Sequence, residues 1–196
     1  MNIPNLLTMS RIFLTFVFMF FLFSSGILAK VLALLTFLLA SFTDFLDGFI
    51  AKERNMSTDF GKLMDPIADK ILVLAAFLAF VEMKLIPAWM AVIIILREII
   101  ITGLRVLALT KGRVIPADDT GKQKMVSQVF SILAILIFLI LRETRMKALH
   151  FWNEGTEGLY KNVIFALMLT TVAFTLISGI SYLAKNKALY SNAKTH

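Results

Sequence analysis

An all-α integral membrane protein, with six transmembrane helices in a single bundle, is the fold class that the sequence predicts, and three observations carry that prediction. Of the 196 residues 59% are apolar and only 17% are charged, and mean hydropathy is +0.83, too apolar for an ordinary water-soluble domain. The apolar residues come in long runs: a hydrocarbon core takes roughly 20 residues of helix, and on that ruler spans lie near 7–29, 31–52, 62–83, 87–109, 122–141 and 159–184. Period-2 alternation with turn signals is absent, and backbone groups in lipid have to be satisfied within their own segment, so helices are expected rather than a barrel. No repeat, low-complexity tract or long linker divides residues 1–196, which read as one domain.

The ends of the spans set their direction. The first span follows no basic n-region, has no small-residue cleavage site and leads into further apolar runs, so it is expected to remain in the mature protein. Lys52, Arg54 and Lys62 flank the connection between spans two and three, and Lys111, Arg113, Lys122 and Lys124 flank the one between spans four and five. Basic residues in short loops mark the cytoplasmic side. The first and third connections hold only Lys30 and Lys84, and the tail holds Lys185, Lys187 and Lys194, so both termini are expected in the cytoplasm. The fifth connection runs against this pattern with Arg142, Arg145 and Lys147, offset in part by Glu143, Glu154 and Glu157; Trp152 and Tyr160 there suggest an interfacial segment.

Composition also excludes several chemistries. The net charge of +7 comes from 20 Lys and Arg scattered between apolar runs, not gathered into a basic domain with stacking aromatics, so no nucleic-acid partner is expected. With no Cys there is no disulfide, thiolate nucleophile or Cys-based metal site, and His150 and His196 are far apart in sequence. A metal here would be held by oxygen.

Five of the seven aspartates fall between residues 44 and 69, at the end of span two and the start of span three. An Asp at the centre of a membrane helix costs about 2.5–3.5 kcal/mol, less near an interface, so such a cluster needs a compensating charge. Asp44 and Asp47 are spaced i, i+3 and Asp65 and Asp69 are spaced i, i+4, which puts each pair on one face of its helix. Four hard carboxylates from two facing helices suit two Mg²⁺ or Mn²⁺ ions, the arrangement that phosphoryl chemistry uses to bridge a pyrophosphate and neutralise a leaving phosphate. Gly48 and Gly61 allow a bulky phosphate ester to approach the backbone, with close helix packing as the alternative. Pro66 is tolerated if it falls in the first turns of span three. Asp59 belongs to neither pair and is expected to be solvated or capping. The competing reading, interfacial ion pairs with Lys52, Arg54, Lys62 or Lys70, does not require the paired helical spacing.

The pattern Asp44-x2-Asp47-Gly48-x2-Ala51-Lys52-x8-Gly61-x3-Asp65-x3-Asp69 resembles the signature of the CDP-alcohol phosphotransferase family, and every spacing fits. Lys52 departs from it, standing where the family usually has Arg, which keeps the charge and loses the bidentate fork. The resemblance implies a six-helix membrane enzyme that moves a phosphatidyl group from CDP-diacylglycerol to a small alcohol and releases CMP. It further implies two divalent metals on Asp44, Asp47, Asp65 and Asp69, with Asp69 also the catalytic base. Gly48, Lys52, Thr58 and Gly61 would then lie along CDP-diacylglycerol, and a homodimer in membrane lipid is expected.

Spans four and five bear on the acceptor. Arg97 and Arg105 interrupt an apolar helix eight residues apart, about 80° around it. With Lys122 and Lys124 they form a candidate clamp for a dianionic acceptor phosphate; pairing of Arg97 with a carboxylate and snorkelling of Arg105 are the alternatives. The stretches Asn2-x-Pro4-Asn5-x-Leu7-Thr8-x2-Arg11, Arg97-Glu98-x3-Thr102-Gly103-Leu104-Arg105 and Gly121-Lys122-x-Lys124-x3-Gln128 resemble the bacterial members of the family whose acceptor is glycerol 3-phosphate. Asn5 and Thr8 are candidates for the CDP-diacylglycerol site or for helix caps. Serine, an inositol phosphate and phosphatidylglycerol are the alternative acceptors. From another class, an ion or phosphate transporter would also place Asp and Arg within the membrane, but neither inverted repeats nor paired broken helices are evident.

Overall fold

A computed structural model describes residues 3–53, 59–110, 119–145 and 154–186, with side chains described over 9–43, 70–108, 121–144 and 155–186. Among them stand α1 (Ile3–Phe23), α2 (Ile27–Glu53), α3 (Asp59–Glu82), α4 (Ala88–Thr110), α5 (Asp119–Arg145) and α6 (Glu154–Lys185), one for each expected span. The main difference lies at the helix ends. α3 starts at Asp59, so Pro66 falls beyond its first two turns, where a helix loses the hydrogen bond to the carbonyl four residues back, that of Lys62.

Two short turns set the antiparallel order. α1 ends at a turn in which Ser24 donates its N–H and its hydroxyl to Phe20 O at 3.1 and 2.7 Å, and Gly26 takes φ +102°, a left-handed conformation that a side chain resists. Lys30 is buried there, and its ammonium donates to Leu22 O at 2.6 Å and Ser24 O at 2.8 Å, satisfying carbonyls that the end of α1 leaves open. α3 ends in a Schellman arrangement: Leu85 N–H reaches Phe80 O and Lys84 N–H reaches Val81 O, both at 2.9 Å, with Lys84 itself at φ 57°. Pro87 follows directly and precedes the first residue of α4, where its missing N–H costs nothing. α5 and α6 are also antiparallel, since Phe138 meets Tyr160 at 5.8 Å between ring centroids while Ser131 meets Thr171 at 2.8 Å. Tyr160 therefore belongs to α6; Lys147 and Trp152 lie outside the described residues.

α1 packs on α2 and α3, α5 on α2 and α6, and α4 on α3 and α6. Phe18, Phe37, Phe77, Phe80, Phe138 and Met168 fill the interior. Outside, large apolar side chains are exposed on all six helices; on α1 they are Met9, Phe13, Phe16, Phe20 and Phe23, whereas Arg11, Thr15, Phe18 and Leu22 face inward. A soluble monomer rarely exposes apolar surface on this scale. Several polar groups are inside: Arg11, Lys30, Glu98, Lys124, Gln128, Ser131, Thr171, Thr175 and Ser178 are all buried. Such a distribution suits lipid as the surrounding medium. Gly121–Thr144 and Gly155–Lys185 are long and apolar enough to cross a membrane, and Met9–Phe23 and Ile27–Thr43 are shorter apolar helices.

One end of the bundle gathers the α1–α2 turn, the α3–α4 turn and the end of α5, where Glu143 lies within electrostatic reach of Lys30. The opposite end gathers the last turns of α2, α4 and α6 and the first turns of α3 and α5. The aspartates belong to this second end. Replacing Lys30 by Met should leave two buried carbonyls without their charged donor and lower stability by about 2 kcal/mol, read as a drop in the thermal midpoint of detergent-purified protein. An unchanged midpoint would show that the ammonium contributes nothing there.

Candidate active site

Asp44 and Asp47 stand in the last three turns or so of α2, and Asp65 and Asp69 in the first three turns or so of α3. Both stretches are continuous α-helix, so the i, i+3 and i, i+4 intervals are true helical intervals, about 60° and 40° around their axes. As ligands, four carboxylates would suit hard divalent cations best. Asp59 is the first residue of α3, and its side chain lies outside the described ones. The side chains of Asn5, Thr8, Asp44, Asp47, Gly48, Lys52, Gly61, Asp65 and Asp69 lie outside the described ones, and Thr58 lies outside the described residues altogether.

One residue beyond Asp69 begins the part of the site that is described in full. The Lys70 ammonium reaches across to Glu98 on α4, 3.7 Å from Oε2. Glu98 has a side chain only 3% exposed and gathers two more cations: Arg97, whose Nη1 is 3.2 Å from Oε1, and Lys124 of α5, equally buried and in direct ion pair with the same oxygen. Arg97 then extends to α6, where its Nη2 donates to Ser178 Oγ at 2.7 Å. A Cβ on Gly179 would stand 3.2 Å from Arg97 Cγ, so the absent side chain gives the arginine its passage over α6. One carboxylate thus joins α3, α4 and α5, and Arg97 carries the link to α6.

Among the described residues three cations, Lys70, Arg97 and Lys124, share this one carboxylate, in a setting where unpaired charge is costly. A bound anion would complement them. Of the four cations expected to hold an acceptor phosphate, Arg97 and Lys124 come together at Glu98. Arg105 and Lys122 do not join them: both are exposed, and Lys122 lies about 160° around α5 from Lys124. Lys122 borders a mainly apolar groove of about 480 Å³ between α5 and α6, flanked by Val126, Phe130, Leu167 and Phe174.

Sequence reasoning assigned no role to Glu98, Ser178 or Gly179 and treated Lys70 only as an alternative partner for aspartate. A signal for Glu98 was present, since a carboxylate in mid-span must find a cation, and Arg97 beside it does not use all of its acceptor capacity. Ser178 and Gly179 carried none, because small polar residues are common in apolar helices. Glu98→Met should cost about 3–5 kcal/mol, and adding Lys124→Met should return part of that loss by removing a cation left unpaired. Equal thermal stability of the single and double variants would refute this coupling.

The family model described as CDP-alcohol phosphatidyltransferase matches residues 1–177, a stretch that takes in the four aspartates and the cations around Glu98. A protein of Bacillus subtilis (strain 168) named CDP-diacylglycerol--glycerol-3-phosphate 3-phosphatidyltransferase is 34% identical over 197 aligned positions, covering 94% of this chain and 95% of the relative. Proteins of the same name from Rickettsia typhi and Rickettsia bellii are 35% and 36% identical, covering 96% and 92% of this chain and 99% and 93% of their own lengths. With the acidic motif, the helix order and a match along most of its length in agreement, the chain belongs to the CDP-alcohol phosphatidyltransferase family.

Proposed function

We propose that the protein transfers the phosphatidyl group of CDP-diacylglycerol to glycerol 3-phosphate, giving phosphatidylglycerophosphate and CMP. The observation that carries this reading is the juxtaposition of two charge sets of opposite sign: Lys70, next to Asp69, reaches the buried carboxylate that also holds Arg97 and Lys124. An acidic centre for a pyrophosphate donor and a cationic centre for an anionic acceptor are thereby neighbours. Serine would have no use for the second. The relatives' name describes this same reaction.

In this reading Asp44, Asp47, Asp65 and Asp69 hold two divalent cations, Mg²⁺ or Mn²⁺, which supply charge neutralisation at the pyrophosphate. Asn5, Thr8, Gly48, Lys52, Thr58 and Gly61 lie along CDP-diacylglycerol. Arg97 and Lys124 hold the acceptor phosphate, and Arg105 and Lys122, more exposed, attract it. Asp69 accepts the proton of the attacking hydroxyl, whose oxygen bonds to the phosphorus that carries the diacylglycerol. The bond from that phosphorus to the oxygen of CMP breaks, and CMP leaves with the electron pair.

All six helices cross the bilayer as one domain, with the aspartates and both termini toward the cytoplasm of the cell membrane. The basic residues beside residues 54–58 and 111–118 support that orientation. Lys30, buried against the end of α1, does not count against it.

Purified protein offered glycerol 3-phosphate, serine, inositol phosphate and phosphatidylglycerol separately should make lipid from the first alone. Turnover should vanish on exhaustive chelation and return with Mg²⁺ or Mn²⁺, and Asp69→Asn should lose about 10²–10⁴-fold in kcat. Lipid formed from serine, or full turnover without metal, would end the proposal. Because the chain has no Cys, single cysteines report its orientation: Asn55→Cys should react with an impermeant maleimide only from the cytoplasmic face and Lys84→Cys only from the outer face. The reverse pattern would invert the topology.

A further inference from the structure

Beside the Glu98 cluster lie buried polar atoms without partners among the described residues: Nε of Arg97, Nε2 of Gln128, Oγ1 of Thr175 and the hydroxyl of Tyr182. Gln128, Thr175 and Tyr182 are at most 4% exposed. Every one of these atoms is able to donate a hydrogen bond. Thr175 is the telling case. A helical threonine ordinarily returns its hydroxyl to a carbonyl one turn back, as Thr15, Thr36, Thr43, Thr144 and Thr170 all do here. Thr175 makes no such bond.

Helix register brings these donors near the cationic cluster. Thr171 bonds to both Ser131 Oγ and Ser127 O, so Thr175, one turn farther along antiparallel α6, lies across from the Lys124–Gln128 turn of α5. It stands three residues, about 4.5 Å along the axis, from Ser178, which receives Arg97. Gln128 follows Lys124 by one turn on the same face of α5. Unpartnered donors of this kind each carry a desolvation cost that a suitable acceptor would remove, and in the neighbouring cluster three of the described cations share one carboxylate.

We propose that α4, α5 and α6 enclose a phosphate monoester site in which Gln128 Nε2 and Thr175 Oγ1 donate to the same anion as Arg97 and Lys124, with Glu98 a positioning residue that holds the two cations in place. This rests on the reading of glycerol 3-phosphate as acceptor and extends it to neutral donors that recognise its phosphate.

The test uses the full-length enzyme in detergent. Thr175→Val and Gln128→Leu should each raise KM for glycerol 3-phosphate about tenfold and leave KM for CDP-diacylglycerol and kcat at saturating acceptor within about twofold of the parent, whereas Thr175→Ser, which keeps the hydroxyl, should keep the parent KM. The thermal midpoint of ligand-free Thr175→Val should equal or exceed that of the parent, since a hydroxyl without a partner is removed. Inorganic phosphate should raise the midpoint of the parent and do so less in either variant. Unchanged KM for glycerol 3-phosphate, or an equal phosphate-induced shift in parent and variants, would overturn the site. If the parent forms no lipid from glycerol 3-phosphate, the proposed reaction fails, and the phosphate-induced shift still decides this site.

Discussion

A carboxylate that is buried among apolar helices has to be surrounded by cations, and in this protein that carboxylate is Glu98. Its demand draws Lys70 from α3, Arg97 from its own helix and Lys124 from α5, and Arg97 extends the connection to Ser178 on α6. Four of the six helices are therefore held in one rotational setting by a single charge. The value of such a cluster is seldom net stability, because an apolar replacement of similar volume is often as stable or more so. Its value is geometric. Helices that slide or rotate against one another in lipid gain or lose little hydrophobic energy, whereas a buried ion cluster admits only one alignment.

Around that cluster the bundle keeps a set of polar side chains inside an otherwise apolar core and exposes apolar ones. Phe13, Phe16 and Phe20 cover the outside of α1 while Arg11 and Thr15 point inward, and α6 turns Thr171, Thr175 and Ser178 inward while exposing Leu169, Ile177 and Ile180. The inner polar surface is what a charged, water-soluble acceptor needs if it is to meet a lipid-borne donor. In the proposed mechanism two chemical demands are divided between adjoining regions: carboxylates on α2 and α3 for the metal-bound pyrophosphate, and cations on α4 and α5 for the acceptor. Asp69 and Lys70, consecutive on α3, mark the boundary. The aspartates occupy the end of the bundle away from the two tight turns and the Glu98 cluster lies nearer mid-span, while the turns stiffen the opposite end with the Lys30 ammonium and the Schellman arrangement at Lys84.

Much of this was legible before any coordinates. Six helices follow from six apolar runs of bilayer length, and the acidic motif stands out because aspartate in such runs is costly. Arg97 and Lys124 were legible for the same reason. Glu98 was seen only as part of a motif, since a residue count does not reveal which of several nearby cations will reach a carboxylate. Thr175 was not legible at all: Thr170, five positions earlier, has the same chemistry but is exposed and bonds back to Leu167 O. The start of α3 was placed three residues late, which also misplaced Pro66, because polar residues at a helix end carry no hydropathy signal.

Composition and spacing alone thus determined the apolar character and the helix count, and singled out the acidic motif by which the family is recognised, because each of those is written in local hydropathy and helical periodicity. Rotation and partnership were decided only by tertiary structure. In a membrane bundle the side facing lipid is as apolar as the side facing the core, so Phe16 and Phe18 look alike in sequence while one lies outside and the other inside. Arg97 and Arg105, similarly, share one helix, yet Arg97 donates to Ser178 of α6 while Arg105 is exposed, a matter settled by the packing of segments some eighty residues apart.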